Sequence, residues 1–139
     1  VNAQYDDCDA LVMAAAVSDY RPAVRAENKI KKEQHDHLNI ELTENPDILY
    51  GLGQKKTHQF LVGFAAETRD VIEYGKAKLA KKNLNLLVAN DVAQQGAGFN
   101  VSTNIAALIY KDGHIEQYLK MTKDDLGHII IEKIAEGIN

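Results

Sequence analysis

Three short apolar runs, each ending abruptly in polar residues, constrain this chain more than any other feature. Ala10 to Val17 carries "LVMAAAV" and gives way to Ser18, Asp19, Tyr20 and Arg21, with Pro22 to stop it. Phe60 to Thr68 reads "FLVGFAAET", and Leu84 to Asp91 reads "LNLLVAND". None alternates apolar with polar residues. Each therefore reads as a strand buried on both faces, as in a parallel sheet covered by helices. Helical segments lie between them. "NPDILYGLGQKK" opens with Asn45 as cap, Pro46 at the first helical position and Asp47 in the first turn. Arg69 to Asn83 is amphipathic through Val71, Ile72, Ala77, Leu79 and Ala80, and Asn83 can close it.

The remaining segments complete the pattern. Residues 20–37 hold one proline, many charges and little periodicity, and read as a long, mobile excursion. Leu38 to Glu44 alternates and is a candidate strand. "VAQQGAGFNVSTN" reads as a loop, and "IAALIYKDGHIEQYL" as a hairpin whose Asp112-Gly113 favours a type I′ turn. A last helix is expected over Lys123 to Ile138. The expected fold is α/β: one domain over 1–139, with a Rossmann-like, mostly parallel sheet flanked by helices, a C-terminal antiparallel hairpin and a long mobile lid segment. In such sheets ligands bind outside the carboxyl ends of the strands. Asp19, Glu67 with Thr68, and Asn90 with Asp91 should then converge on one rim.

Charge and cysteine content narrow the function classes. A net charge of −4 over 139 residues argues against a nucleic-acid-binding surface spanning the protein. No stretch of eighteen apolar residues exists to span a membrane as a helix. Cys8 is the only cysteine, so no internal disulfide forms and a reducing, cytoplasmic setting is expected. Flanked by Asp6, Asp7 and Asp9, it reads as a structural thiol rather than a nucleophile. The opening "VNAQYDDCD" has neither an initiator Met nor a basic leader, and is expected to follow a longer upstream sequence.

Several features could carry chemistry. The helix start at Asn45 to Ile48 would offer free backbone amides to an anion. Lys78 and Lys82, four apart, share one helix face, with Lys76 and Lys81 nearby. Lys29, Lys31 and Lys32 in "KIKK" lie in the polar segment. Taken singly these read as a capped helix and solvated charge; together they suit a ligand bearing several phosphates, with the lysine loop as a lid. His35 and His37 lack a third metal ligand. "QGAGF" (Gln95 to Phe99) is only G-x-G and falls short of a dinucleotide fingerprint. Tyr74 and Lys78 match the Tyr-x-x-x-Lys spacing of short-chain dehydrogenases. That oxidoreductase reading lacks both the upstream serine and the glycine-rich first loop.

With "AAAVSDYRP", "KIKK", "ENPDIL", "GFAAET", "KLAKKN" and "VAND" in order, the chain resembles phosphopantothenate–cysteine ligase, a coenzyme A biosynthetic enzyme. Bacteria often fuse this ligase behind a flavin-dependent decarboxylase. The resemblance implies a two-step ligase joining 4′-phosphopantothenate to cysteine through an acyl-cytidylate made from CTP, with Mg2+ or Mn2+. FMN is implied only where a decarboxylase is fused upstream. By motif, Met13, Ala14 and Ala15 would line the nucleotide pocket, and Asp19 would meet either the ribose or the metal-bound phosphates. Lys29 would act catalytically from the lid, neutralising charge at the reacting carboxyl and phosphate. Asn45, Pro46, Asp47 and Ile48 would present the helix start, Phe64 would wall the base or ribose, and Lys78 and Lys82 would grip phosphates. The family is dimeric, so a homodimer is implied, with no nucleic-acid or membrane partner. The family's glycine-rich first strand-turn and the segment holding its catalytic asparagine are absent here. The chain is therefore expected to be the C-terminal part of the ligase domain. A non-catalytic nucleotide-binding or dimerisation fragment is the alternative.

Overall fold

The structure, a computed structural model, describes residues 1–31, 37–91 and 102–138. Lys32, His35 and the Gln95–Phe99 stretch singled out in the sequence lie outside them. The chain divides into two compact units, Ala15–Asp47 and the remainder, Val1–Ala14 with Ile48–Asn139.

The larger unit is built on a five-stranded sheet. Its strands are β1 (Ala10–Met13), β4 (Phe60–Glu67), β5 (Leu86–Asp91), β6 (Thr103–Tyr110) and β7 (Ile115–Thr122), in that spatial order. In the smaller unit β2 (Tyr20–Pro22) and β3 (Leu42–Glu44) pair with each other. β1, β4 and β5 run parallel, β6 pairs antiparallel with β5, and β7 pairs antiparallel with β6. This is the expected mostly parallel sheet with a terminal hairpin. Helices α1 (Ile48–Lys55) and α2 (Val71–Lys81) cover one face, over Leu61, Ala65, Leu87, Ala89 and Ile109. Helix α3 (Lys123–Ile138) covers the other with Leu126, Ile130 and Ile134, over Phe60, Val62, Leu86, Val88 and Leu108. Alternate residues of β4 and β5 thus enter opposite cores, which is why their sequences are apolar throughout.

The first strand departs from expectation. β1 ends at Met13 rather than Val17, and Val12 is 41% exposed. Among the described residues only one of its edges is paired, with β4, so its outer side has no strand neighbour among them to bury it. The type I′ turn is also corrected. Gly113 has φ +93°, but Asp112 is not among the positive-φ residues. Gly113 N donates to Tyr110 O at 3.0 Å and Tyr110 N to His114 O at 3.0 Å. This is a three-residue loop, Lys111-Asp112-Gly113, with the glycine in the conformation that needs it.

Helix ends follow local chemistry closely. Asn83, at φ 51°, closes α2 as expected. Its N–H donates to Ala80 O at 3.2 Å, and Leu84 N to Leu79 O at 3.0 Å. Those two bonds form a Schellman closure with buried Leu79 and Leu84 as its apolar pair. α3 begins where expected because Thr122 Oγ1 accepts from Asp125 N at 3.1 Å and donates to Asp125 Oδ2 at 2.6 Å. α1 begins at Ile48, two residues later than expected, with Asp47 rather than Asn45 just before it. Asn45 is engaged elsewhere, as shown below.

Glu116 ties the hairpin to α3. Its carboxylate accepts from Tyr118 OH and from Tyr110 OH at 3.0 Å, and lies 3.4 Å from Lys133 Nζ and 3.5 Å from His114 Nε2. Chiefly the Tyr118 hydrogen bond, then those of Tyr110 and Lys133, hold the carboxyl below its ordinary range against the opposing effect of burial. A carboxyl depressed in the folded state stabilises the fold above its unfolded pKa, and that contribution vanishes as pH falls through the folded value. Glu116→Gln is therefore expected to cost about 1 kcal/mol at neutral pH. Acid titration of stability should show a shallower loss below the ordinary carboxylate range in the variant. Identical acid limbs in denaturant melts of both proteins would refute the assignment.

Candidate functional site

The strand exits of the larger unit form a polar rim. At the end of β4, Glu67 pairs in register with Asp91 of β5, and Ala66 with Asn90. β1 stops opposite Gly63, so the last four residues of β4 run on beside β5 alone. A three-residue turn then leads into α2, with Asp70 at φ 45°, a left-handed conformation that aspartate tolerates better than most residues. The turn is short enough for α2 to fold back along β4, and Lys78 Nζ reaches Glu67 Oε1 in an ion pair. Glu67 is 17% exposed and Lys78 46%, so a cation is held at the carboxyl end of a central strand and remains open to solvent.

The opposite face of the same rim is lined differently. Phe64 is partly buried against the α3-side core. Towards the rim, β5 and then β6 carry polar side chains on this face: Asn90, two residues beyond the Val88 that pairs with Phe64, and Asn104, two residues beyond the Ala106 that pairs with Asn90. Asn104 of β6 donates from Nδ2 to Asn90 Oδ1 of β5 at 2.9 Å. Asn104 is 6% exposed, and its Oδ1 has no hydrogen-bond partner among the described residues. Asn90 was legible as a strand-exit residue. The sequence pattern places Asn104 in the loop before β6, because a single polar residue opening an apolar strand gives no periodic signal.

In the smaller unit the crowded polar residues brace a ribbon. β2 pairs antiparallel with β3 through Tyr20↔Glu44, Arg21↔Thr43 and Pro22↔Leu42, so part of the expected mobile excursion is regular strand. Arg21 Nη1 donates to Glu44 O and to Asn45 Oδ1, both at 2.9 Å, while Asn45 Nδ2 donates to Ser18 O at 2.7 Å. Asn45 N also donates to Asp19 O at 2.7 Å. Ser18, Arg21 and Asn45 thus hold each other, which removes Asn45 from the capping role assigned to it. Asp19 and Lys29 are exposed in this unit.

The expected site residues divide accordingly. Met13, Ala14, Ile48, Phe64, Lys78 and Lys82 belong to the larger unit; Ala15, Asp19, Lys29, Asn45, Pro46 and Asp47 belong to the smaller. Within the larger unit Met13 and Ile48 pack against the helical core on the α1–α2 side, and Phe64 on the α3 side. Lys82 is the C-cap of α2, one turn beyond Lys78, with its N–H bonded to Lys78 O at 3.0 Å. Among the described residues no group of three or more His, Cys, Asp and Glu side chains converges as a metal ion would require. No helix among them is long and apolar enough to cross a membrane.

A helix-covered sheet, parallel at its core and carrying an acid–lysine pair and an amide pair at its carboxyl rim, defines an α/β protein of the kind that receives ligands outside its strand ends. A family model described as the DNA/pantothenate metabolism flavoprotein C-terminal domain matches residues 1–138, and the chain belongs to that family. It is 47% identical over 131 residues to the coenzyme A biosynthesis bifunctional protein CoaBC of Bacillus subtilis (strain 168), covering 94% of this chain and 32% of that protein. It is 41% identical over 139 residues to the protein of the same name from Escherichia coli (strain K12), covering 97% and 34%. The chain thus spans about a third of the length of these curated relatives. Among solved structures it is similar to the C-terminal domain of a coenzyme A biosynthesis bifunctional protein CoaBC. The TM-score is 0.75 at 35% identity, over 96% of this chain and 56% of that one. A DNA/pantothenate metabolism flavoprotein from Streptococcus pneumoniae shares the fold, with a TM-score of 0.74 at 22% identity, over 99% and 64%.

Proposed function

We propose that this chain carries the CTP-handling part of a phosphopantothenate–cysteine ligase acting in coenzyme A biosynthesis. The observation that carries this reading is the match of nearly the whole chain to one family, with relatives named for coenzyme A biosynthesis. The alternative dehydrogenase reading rested on Tyr74 and Lys78. That lysine is held by Glu67, and the relatives are named for coenzyme A biosynthesis rather than for a dehydrogenase.

In the proposed reaction a carboxylate oxygen of 4′-phosphopantothenate attacks the α-phosphorus of CTP. The α–β phosphoanhydride bond breaks, pyrophosphate leaves and an acyl-cytidylate remains. The amine of cysteine then attacks the acyl carbon, loses a proton and expels CMP, leaving an amide. Lys78, and Lys82 on the same helix face, would meet the phosphates with charge-assisted hydrogen bonds. Phe64 would offer an apolar wall to the base or sugar. Met13, Ala14 and Ala15 would line the pocket with little bulk. In the smaller unit, Asp19, Lys29 and the Asn45–Asp47 segment leading to Ile48 would supply the remaining contacts. A divalent ion would arrive with the triphosphate, and FMN would belong only to a fused decarboxylase. A homodimer in the cytoplasm is the matching assembly and setting.

Calorimetry with CTP, ATP and GTP tests the nucleotide, with CTP expected to bind tightest; equal affinities would remove the CTP assignment. Lys78→Ala is expected to weaken CTP binding about tenfold, the loss of one charge-assisted bond. The freed Glu67 carboxylate would then repel phosphate and add to the effect. Lys81→Ala, about 100° from Lys82 and about 60° from Lys78 around the helix, should matter less. Equal effects from both variants would reduce this basic face to solvated charge.

A further inference from the structure

The Asn90–Asn104 pair is placed where packing alone would favour apolar side chains. On β5 the residues facing α3 run Leu86, Val88, Asn90; on β6 they run Asn104, Ala106, Leu108. Both stripes are core until they reach the carboxyl rim, and there each turns to asparagine. The one hydrogen bond between the amides, 2.9 Å long, leaves Asn104 Oδ1 buried without a partner among the described residues. Native interiors seldom leave such an acceptor unmet, since its desolvation goes uncompensated. Phe64 stands on the same sheet face, on β4, paired with Val88, and Ala66 pairs with Asn90. Ala66 is exposed, so the residue beside the amide pair on β4 is small and open to solvent.

We propose that the Asn90–Asn104 pair is a ligand-recognition element, in which Asn104 Oδ1 accepts a hydrogen bond from an N–H or O–H group of the nucleotide. This rests on the ligase reading above. Asn90 is the positioning residue. By accepting from Asn104 Nδ2 it fixes the amide so that its oxygen, not its nitrogen, is offered. The donor comes from the exocyclic amine of the base or from the ribose 2′-hydroxyl, and Phe64 stands on the same sheet face, level with Val88.

The test measures dissociation constants for CTP, UTP and 2′-deoxy-CTP, together with Tm, in the longest natural polypeptide carrying these residues. Asn104→Leu removes the orphan acceptor and puts in its place an apolar side chain with the same branching at Cγ. Its Tm should hold or rise, while CTP binding weakens about tenfold, the loss of one hydrogen bond. If the base amine is the donor, wild type prefers CTP to UTP and the variant loses that preference. If a sugar hydroxyl is the donor, the preference lost is that for CTP over 2′-deoxy-CTP. Unchanged CTP affinity in a folded Asn104→Leu protein overturns the proposal and leaves the ligase reading intact. Should that variant fail to fold, Asn90→Ala at the half-buried partner replaces it, and unchanged CTP affinity there overturns the proposal equally. A wild type that binds no nucleotide overturns both.

Discussion

Gly53→Ala is expected to destabilise the protein by about 3 kcal/mol, a fall in Tm on the order of 10 °C. A Cβ at this buried position would lie 1.9 Å from Lys82 O and 2.9 Å from its carbonyl carbon. The obstacle is backbone, and that backbone is fixed from several sides. Lys82 N is bonded to Lys78 O and Leu84 N to Leu79 O, both at 3.0 Å, so the C-cap of α2 cannot yield without opening the Schellman closure. Asn83 Nδ2 donates to Gly53 O at 2.9 Å, and Lys56 Nζ donates to Asn83 O at 2.6 Å and to Asn85 Oδ1 at 2.8 Å. Relief requires moving α1 away from α2 and losing these bonds together. Gly51→Ala provides the control, because its Cβ would meet nothing within 4 Å and alanine favours the helix. Thermal melts of the two variants decide it. Equal Tm values would mean the helices separate without cost.

Lys29→Ala is expected to lower kcat about 100-fold in the full polypeptide while leaving Tm nearly unchanged and CTP affinity much less affected. Lys29 is exposed in the smaller unit, so the fold should barely register its loss. Under the proposed mechanism its charge meets the negative charge that develops as the carboxylate attacks phosphorus. An interaction stronger in the transition state than in the bound substrate appears in the rate constant. Losses of about 10²–10³ follow removal of one such preorganised contact. Lys31→Ala, two residues away and also exposed, is the comparison. If Lys29→Ala turns over as wild type does, the assignment of a catalytic lysine to "KIKK" fails.

The elements that were legible in the sequence are those set by neighbours in the chain. α3 runs from Lys123 to Ile138 as expected, because Thr122 and Asp125 cap it within a single turn. Asn83 ends α2 because asparagine tolerates the left-handed conformation such a closure needs. The apolar runs of β4 and β5 announced burial on both faces, and the two cores bear that out. Misreadings came where a distant partner intervened. Asn45 has the composition of a cap, yet its amide is taken by Ser18 and Arg21, 27 and 24 residues away. Tyr20–Pro22 shows no strand periodicity over three residues, and only its partner β3 makes it a strand.

The same division runs through the candidate site. Residue types and their order, from "AAAVSDYRP" to "VAND", were sufficient for the sequence by itself to determine an α/β class and a family. Those properties depend on local punctuation, on burial pattern and on motif order, all of which are written along the chain. Only the tertiary structure decided that Lys78 meets Glu67, that Asn104 meets Asn90, and that Tyr110, Tyr118 and Lys133 surround Glu116. Each of these meetings depends on strand register and on which sheet face a helix covers. A one-residue slip in a strand sends every side chain to the opposite face, so composition alone cannot specify such pairs.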